Sequence, residues 1–179
     1  MSIQIYILSK LAKESSYPYK LKKELSEPIP FDKLANLTES KLYYHFESLT
    51  KQGLIEPTEI IKEENRPDKQ VFAITEKGLG LLPNKIYQLF EKADSLKDTI
   101  VGLMNLDFVD RSKIIMILEE KLKKLEKKRD HIINLNMQVK LEGSKKEGGD
   151  FLTGYFTSRL SNESEWVHSL IEKIKNGSI

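Results

Sequence analysis

Ile115, Leu118, Leu122, Leu125, Arg129, Ile132, Asn136 and Val139 follow one another at alternating steps of three and four residues. That spacing places one narrow apolar stripe along a long helix, interrupted at Arg129 and Asn136, with Lys121, Lys123, Lys124, Lys127 and Lys128 around it. Asp110 is the expected cap, and the helix is expected to run to about Leu141. A helix with a single stripe cannot bury itself alone; it needs a neighbouring helix, a second chain, or both. The segment from Gly143 to Gly149 is expected as a flexible break. A last helix from about Asp150 carries Phe151, Tyr155, Trp166, Leu170 and Ile174. The simplest packing is an intrachain helical pair whose remaining apolar face is covered by a second copy. Ile115, Leu118, Leu122, Leu125, Ile132, Tyr155, Trp166 and Leu170 are the candidate dimerisation residues. Tyr155, Phe156 and Trp166 can also line a cavity near the dimer seam, although helix packing is the ordinary role of such side chains.

The first half has a different rhythm. Ile3, Ile7, Leu8 and Leu11 recur at helical spacing, with Ile5 adding apolar surface, and predict a first helix. Pro18 suits the first position of a second helix, with Tyr19, Leu21 and Leu25 as candidate core, and Pro28 and Pro30 end it. Phe31, Leu34 and Leu37 form a brief apolar connector. Thr38 is a plausible cap and Glu39 a favourable first-turn charge for a third helix, in which Leu42, Phe46 and Leu49 mark the buried face and Gly53 the stop. Residues 55–61 and 70–75 are expected as the strands of a hairpin whose polar loop projects. Thr75 can cap the next helix. Gly78, Gly80 and Pro83 weaken that helix, so a kink or restart is expected near Pro83 and a hinge between Leu82 and Phe90. A further helical stretch is expected over about Lys92 to Met104.

The expected fold is therefore mainly α: a winged helix-turn-helix domain with a two-stranded wing over residues 1–90, then an all-helical dimerisation domain over 91–179. In this order of elements the third helix has the size to enter a major groove, and the hairpin reaches the flanking backbone. Lys41 and His45 are expected to face the groove, with Ser40, Tyr43 and Tyr44 as hydrogen-bonding neighbours. Arg66 and Lys69 are expected to hold phosphates at the wing. Lys41 is the strongest candidate: a cation in the first turn opposes its own helix dipole, a cost offset when a phosphate or guanine lies in front. Tyr43 neighbours Leu42 and Phe46 and reads equally well as core; His45 has a plain surface reading.

Charge neither demands nor forbids this partner. Lys plus Arg number 29 against 27 Asp plus Glu, a formal +2, and each half carries one more basic than acidic residue. A DNA footprint must then come from the distribution of charge, and a winged helix serving only protein–protein contact remains an open alternative. There is no cysteine, and His45, His131 and His168 fall in separate predicted helices, so no thiolate site and no local metal-ligand spacing is present. No Gly-rich phosphate loop, nucleophile elbow or paired-carboxylate motif is found; catalysis, metals and cofactors are not expected. The N-terminal apolar run is broken by Gln4 and Ser9 and has no preceding basic segment. No stretch is long enough to span a bilayer, so a soluble cytoplasmic protein without a membrane partner is expected.

The run Leu37-Thr38-Glu39-Ser40-Lys41-Leu42-Tyr43-Tyr44-His45-Phe46 resembles the recognition-helix segment of the PadR family of bacterial transcriptional regulators. There a leucine–serine opening and a glycine-serine-leucine-tyrosine-proline-alanine-leucine run are typical. The leucines at 37 and 42 and Tyr43 agree; Thr38 replaces serine, Ser40-Lys41 the glycine-serine pair, and Tyr44-His45 the proline-alanine pair. Tyr17-Pro18-Tyr19-Lys20-Leu21 is similar to a family motif in the second helix at its tyrosine and leucine. Asn65-Arg66-Pro67-Asp68-Lys69 and Thr75-Glu76-Lys77-Gly78 are similar to the family's wing and to the turn that closes it. The resemblance covers about residues 5–80. It implies a homodimeric repressor that binds double-stranded DNA at an inverted-repeat operator and is released by a small aromatic or drug-like effector. The departures at 40, 41, 44 and 45 fall on the groove-facing side and leave the operator sequence open.

Overall fold

The computed structural model describes residues 2–26, 39–62, 68–138 and 142–179. The chain divides into two compact units, Met1–Leu89 and Phe90–Ile179.

In the first unit, α1 (Ser2–Leu11) and α2 (Pro18–Ser26) precede α3 (Glu39–Lys51). Ile5, Ile7, Leu8 and Leu11 of α1 are buried, as are Leu21 and Leu25 of α2 and Leu42, Phe46 and Leu49 of α3. Tyr19 departs from expectation and is exposed. Pro18, Leu21 and Leu25 define the inner face of α2, and Tyr19, two residues before Leu21, points about 200° away from it. The Tyr6 hydroxyl donates to the Leu21 carbonyl at 2.8 Å, joining α1 to α2 across the core. Burial, with Glu24 adding, raises the pKa of that phenol above the ordinary value, so it stays a donor. The expected connector of Phe31, Leu34 and Leu37, the prolines at 28 and 30, and the Thr38 cap lie outside the described residues.

The wing is an antiparallel pair, β1 (Ile55–Ile61) and β2 (Lys69–Ile74), registered Ile55 to Ile74 and Ile61 to Lys69, with an irregularity between Pro57 and Ile60. Proline cannot donate to a ladder, which fits a bulge beside Pro57. On its other edge β2 takes a second partner. Ser16 and Phe72 exchange both backbone hydrogen bonds, at 3.0 and 2.8 Å. The segment ahead of α2 is thereby bound to the wing.

Helix α4 (Glu76–Lys92) runs without interruption through Pro83, so the restart expected there is not formed. Proline removes one hydrogen bond, to the carbonyl of Leu79, but Leu79 is exposed and water can replace the lost donor. Leu82, Ile86, Leu89 and Phe90 are all buried and hold the helix in place through that turn.

In the second unit the stretch expected as one helix from Lys92 to Met104 is instead broken. Ser95 and Asp98 form a capping box, with the Ser95 N–H and Oγ–H donating to Asp98 Oδ2 at 3.2 and 3.0 Å, and start a 3₁₀ turn at Leu96–Thr99. A short α5 (Ile100–Leu103) and a second 3₁₀ turn (Leu106–Phe108) follow. Two long helices complete the unit: α6 (Arg111–Gln138) and α7 (Gly143–Lys175). Asp110 caps α6 as expected, its Oδ1 accepting from the Ser112 N–H at 2.8 Å. Contacts from Arg111 to Ile179, Glu119 to Lys175 and Asn136 to Asp150 make α6 and α7 antiparallel neighbours. The expected break at 143–149 is a correction: these residues form the first turns of α7. Adding a residue to an established helix gains a hydrogen bond, which offsets the cost of glycine, roughly 1 kcal/mol at each site.

The hairpin is closed at one end and open at the other. Ile114, Leu118, Val167, Leu170, Ile171 and Ile174 are buried, whereas no residue of α6 beyond Leu118 is. Leu122, Leu125, Arg129, Ile132 and Asn136, the seam read from the sequence, are half-buried in line. Val139 lies outside the described residues.

Candidate nucleic-acid interface

Helix α3 has two faces. Leu42, Phe46 and Leu49 are buried, and the Phe46 ring lies 5.1 Å from the Phe72 ring on β2, so α3 and the wing share one core contact. On the outer side Ser40 and Lys41 are exposed, Tyr44 is 66 % exposed, and Tyr43 is 44 % exposed. The alternative of Tyr43 as core is not what the structure shows.

His45 stands between the two faces. Its ring meets Tyr44 edge-on with centroids 5.4 Å apart, and its Nδ1 is sealed from solvent with no hydrogen-bond partner among the described residues. Burial holds its pKa below the ordinary histidine value. Protonation would bury an unpaired N–H, so His45 is a neutral donor or acceptor at neutral pH rather than a charge.

At the wing, Lys69 pairs with Ile61 in the ladder, and its ammonium lies 5.4 Å from the Tyr17 ring centroid. This cation–π contact fixes the side chain over the segment ahead of α2. Arg66 lies outside the described residues. The candidate DNA-binding residues Ser40, Lys41, Tyr43, Tyr44 and His45 therefore share one helix, and Lys69 stands on the adjoining wing.

The stop at Gly53 is as expected; what reasoning from the sequence missed is how the carbonyls at the end of α3 are satisfied. Gly53 has φ of +67°, the left-handed region where glycine is favoured. Its N–H bonds the Thr50 carbonyl at 2.9 Å and the Leu54 N–H bonds that of Leu49 at 3.0 Å, a Schellman motif. The next carbonyls are taken by the Thr75-Glu76-Lys77-Gly78 turn, from which only the capping role of Thr75 was legible.

Among the candidate dimerisation residues, Leu118 and Leu170 are buried within the chain, and Ile115, Leu122, Leu125 and Ile132 are half-buried. Tyr155 and Trp166 are 50 % and 60 % exposed, so packing within their own unit does not account for them. Phe151 is 73 % exposed, and Leu152 and Phe156 are exposed beside it. Among the described residues no group of three or more His, Asp or Glu side chains is placed to hold a metal ion, and no helix is long and apolar enough to cross a membrane.

A buried three-residue stripe on α3, an open outer face and an adjoining two-stranded wing define a winged helix-turn-helix protein. Residues 7–82 match the Transcriptional regulator PadR-like family. Comparison with curated proteins gave no match. Among solved structures, Bacillus subtilis PadR in complex with operator DNA is 16 % identical, with a TM-score of 0.43 over 97 % of this chain and 99 % of that one. The same protein in complex with p-coumaric acid gives 16 % and 0.40 over 98 % and 99 %. A Streptococcus mutans protein is 21 % identical, with a TM-score of 0.40 over 95 % and 98 %.

Proposed function

We propose that this protein is a cytoplasmic, sequence-specific repressor that binds double-stranded DNA as a homodimer and is released by a small aromatic effector. The observation that carries the DNA reading is the two-faced α3 inside the matched domain: Leu42, Phe46 and Leu49 are buried, and Ser40, Lys41 and Tyr44 stand in solvent. Lys41 supplies a cation for guanine or phosphate, and Tyr44 and His45 supply hydrogen bonds that discriminate bases. Lys69, and Arg66 beyond the described residues, supply phosphate contacts that set position without reading sequence.

Dimerisation belongs to the second unit, on which the large side chains of Phe151, Tyr155 and Trp166 are exposed. A twofold pair places two α3 helices in successive major grooves, about 34 Å apart, and calls for an inverted-repeat operator. The same aromatic side chains suit a flat, apolar ligand with an acidic end, and p-coumaric acid is the first compound to try.

Selection of duplexes from a random pool, followed by gel-shift titration, tests the reading. An enriched inverted repeat, bound by two chains and released by the phenolic acid, is the expected result. Failure to enrich any sequence would leave the winged helix without this role.

A further inference from the structure

We propose that Thr75 and Lys77 are positioning residues for DNA reading: they clamp the C-terminal end of α3 to the first turn of α4. They thereby fix the orientation in which Lys41, Tyr44 and His45 are presented. The proposal rests on the DNA reading above for what is being positioned, but the clamp itself stands on distances.

Helix ends leave carbonyls without intrahelical donors. The Schellman motif satisfies Leu49 and Thr50, and three successive carbonyls beyond it are met from across the wing. The Lys77 ammonium donates to Gln52 O at 2.7 Å, the Thr75 hydroxyl donates to Gly53 O at 2.8 Å, and the Thr75 N–H donates to Leu54 O at 3.1 Å. The lysine also brings positive charge to the negative end of the α3 dipole.

The same Thr75 oxygen faces the other way as well. It accepts from the Gly78 N–H at 3.1 Å and so caps α4. One hydroxyl thus donates to the end of one helix and accepts from the start of the next. The approach is close enough that a Cβ at residue 78 would fall 2.1 Å from Leu54 O, which only glycine avoids. With Phe46 packed on Phe72 at its middle and its last turn held by Thr75 and Lys77, α3 has little freedom to roll.

Capping and clamping need different chemistry, and this separates a positioning role from a merely structural one. A cap needs only an acceptor, which aspartate supplies as well as threonine. The bond to Gly53 O needs a donor, which an ionised aspartate lacks. Thr75→Asp is expected to keep the cap and a cooperative melt, lose about tenfold in operator affinity, and change random-sequence affinity little. Thr75→Ser, which keeps donor and acceptor, is expected to restore wild-type discrimination. Lys77→Met should likewise lower the ratio of operator to random binding.

Hydrogen exchange at the amides of residues 49–54 supplies a readout without DNA. Faster exchange in Thr75→Asp, rescued in Thr75→Ser, supports the clamp. Unchanged exchange in Thr75→Asp, or unchanged discrimination by that variant when the wild-type protein does select an operator, overturns it. A wild-type protein that selects no sequence while the exchange difference persists overturns the DNA reading instead.

Discussion

His45 carries a buried Nδ1 with no hydrogen-bond partner among the described residues, beside the exposed Tyr44, and its titration has a definite sign. Because burial lowers its pKa in the folded chain, the unfolded chain takes up a proton first as pH falls below the ordinary value of 6.5. Stability is therefore whole above that value, declines as pH falls toward the folded pKa, and then levels. His45→Gln should flatten this slope, as thermal melts recorded between about pH 7.5 and pH 5 would show. If both proteins lose stability in parallel over that interval, another group is responsible. Lys41→Ala should cost about tenfold in operator affinity and leave the dimer intact, as gel shift and sedimentation would report. At this scale the amphipathic rule located the α3 faces because Leu42, Phe46 and Leu49 keep helical spacing. It placed Tyr19 in the core because a short helix offers few positions from which to fix its face. The donor half of the Thr75 hydroxyl was invisible, since it depends on Gly53 O lying 2.8 Å away, 22 residues earlier in sequence.

Elements were legible where pattern and local chemistry agree, as in the wing strands, Asp110 at the head of α6 and the stop at Gly53. They were misjudged where glycine and proline suggested breaks: packing of Leu82 and Ile86 overrides Pro83 in α4, and helix propagation carries α7 through Gly148. Three glycines give a graded test of that distinction. Gly53→Ala forces a left-handed residue and should destabilise the first unit by about 1 kcal/mol. Gly78→Ala drives a methyl group into the Leu54 carbonyl and should cost more, about 3 kcal/mol. Gly80, by contrast, lies within α4 with nothing within 4 Å of a new Cβ, and Gly80→Ala should stabilise by roughly 0.5–1 kcal/mol. Denaturant titrations order the three, and equal losses at 78 and 80 would contradict the close approach.

In the second unit the seam was legible as a seam, but one chain cannot reveal from its pattern how much of it a neighbouring helix covers. Toward the open end of the hairpin the less exposed residues of α7 are Gly149, Thr153, Thr157 and Leu160, whereas Phe151, Leu152, Tyr155 and Phe156 face outward. Phe151→Glu together with Tyr155→Glu should weaken self-association by about 30-fold or more, the loss typical of buried aromatic anchors, seen in sedimentation as a shift to single chains. Unchanged association would place the interface elsewhere.

A hairpin built with its large side chains on the outside ties regulation to supply. Where the pair is only partly formed at cellular levels, the operator-competent species varies as the square of the number of chains, so halving synthesis lowers it about fourfold. Control of a target gene would then sharpen with dosage before any effector enters.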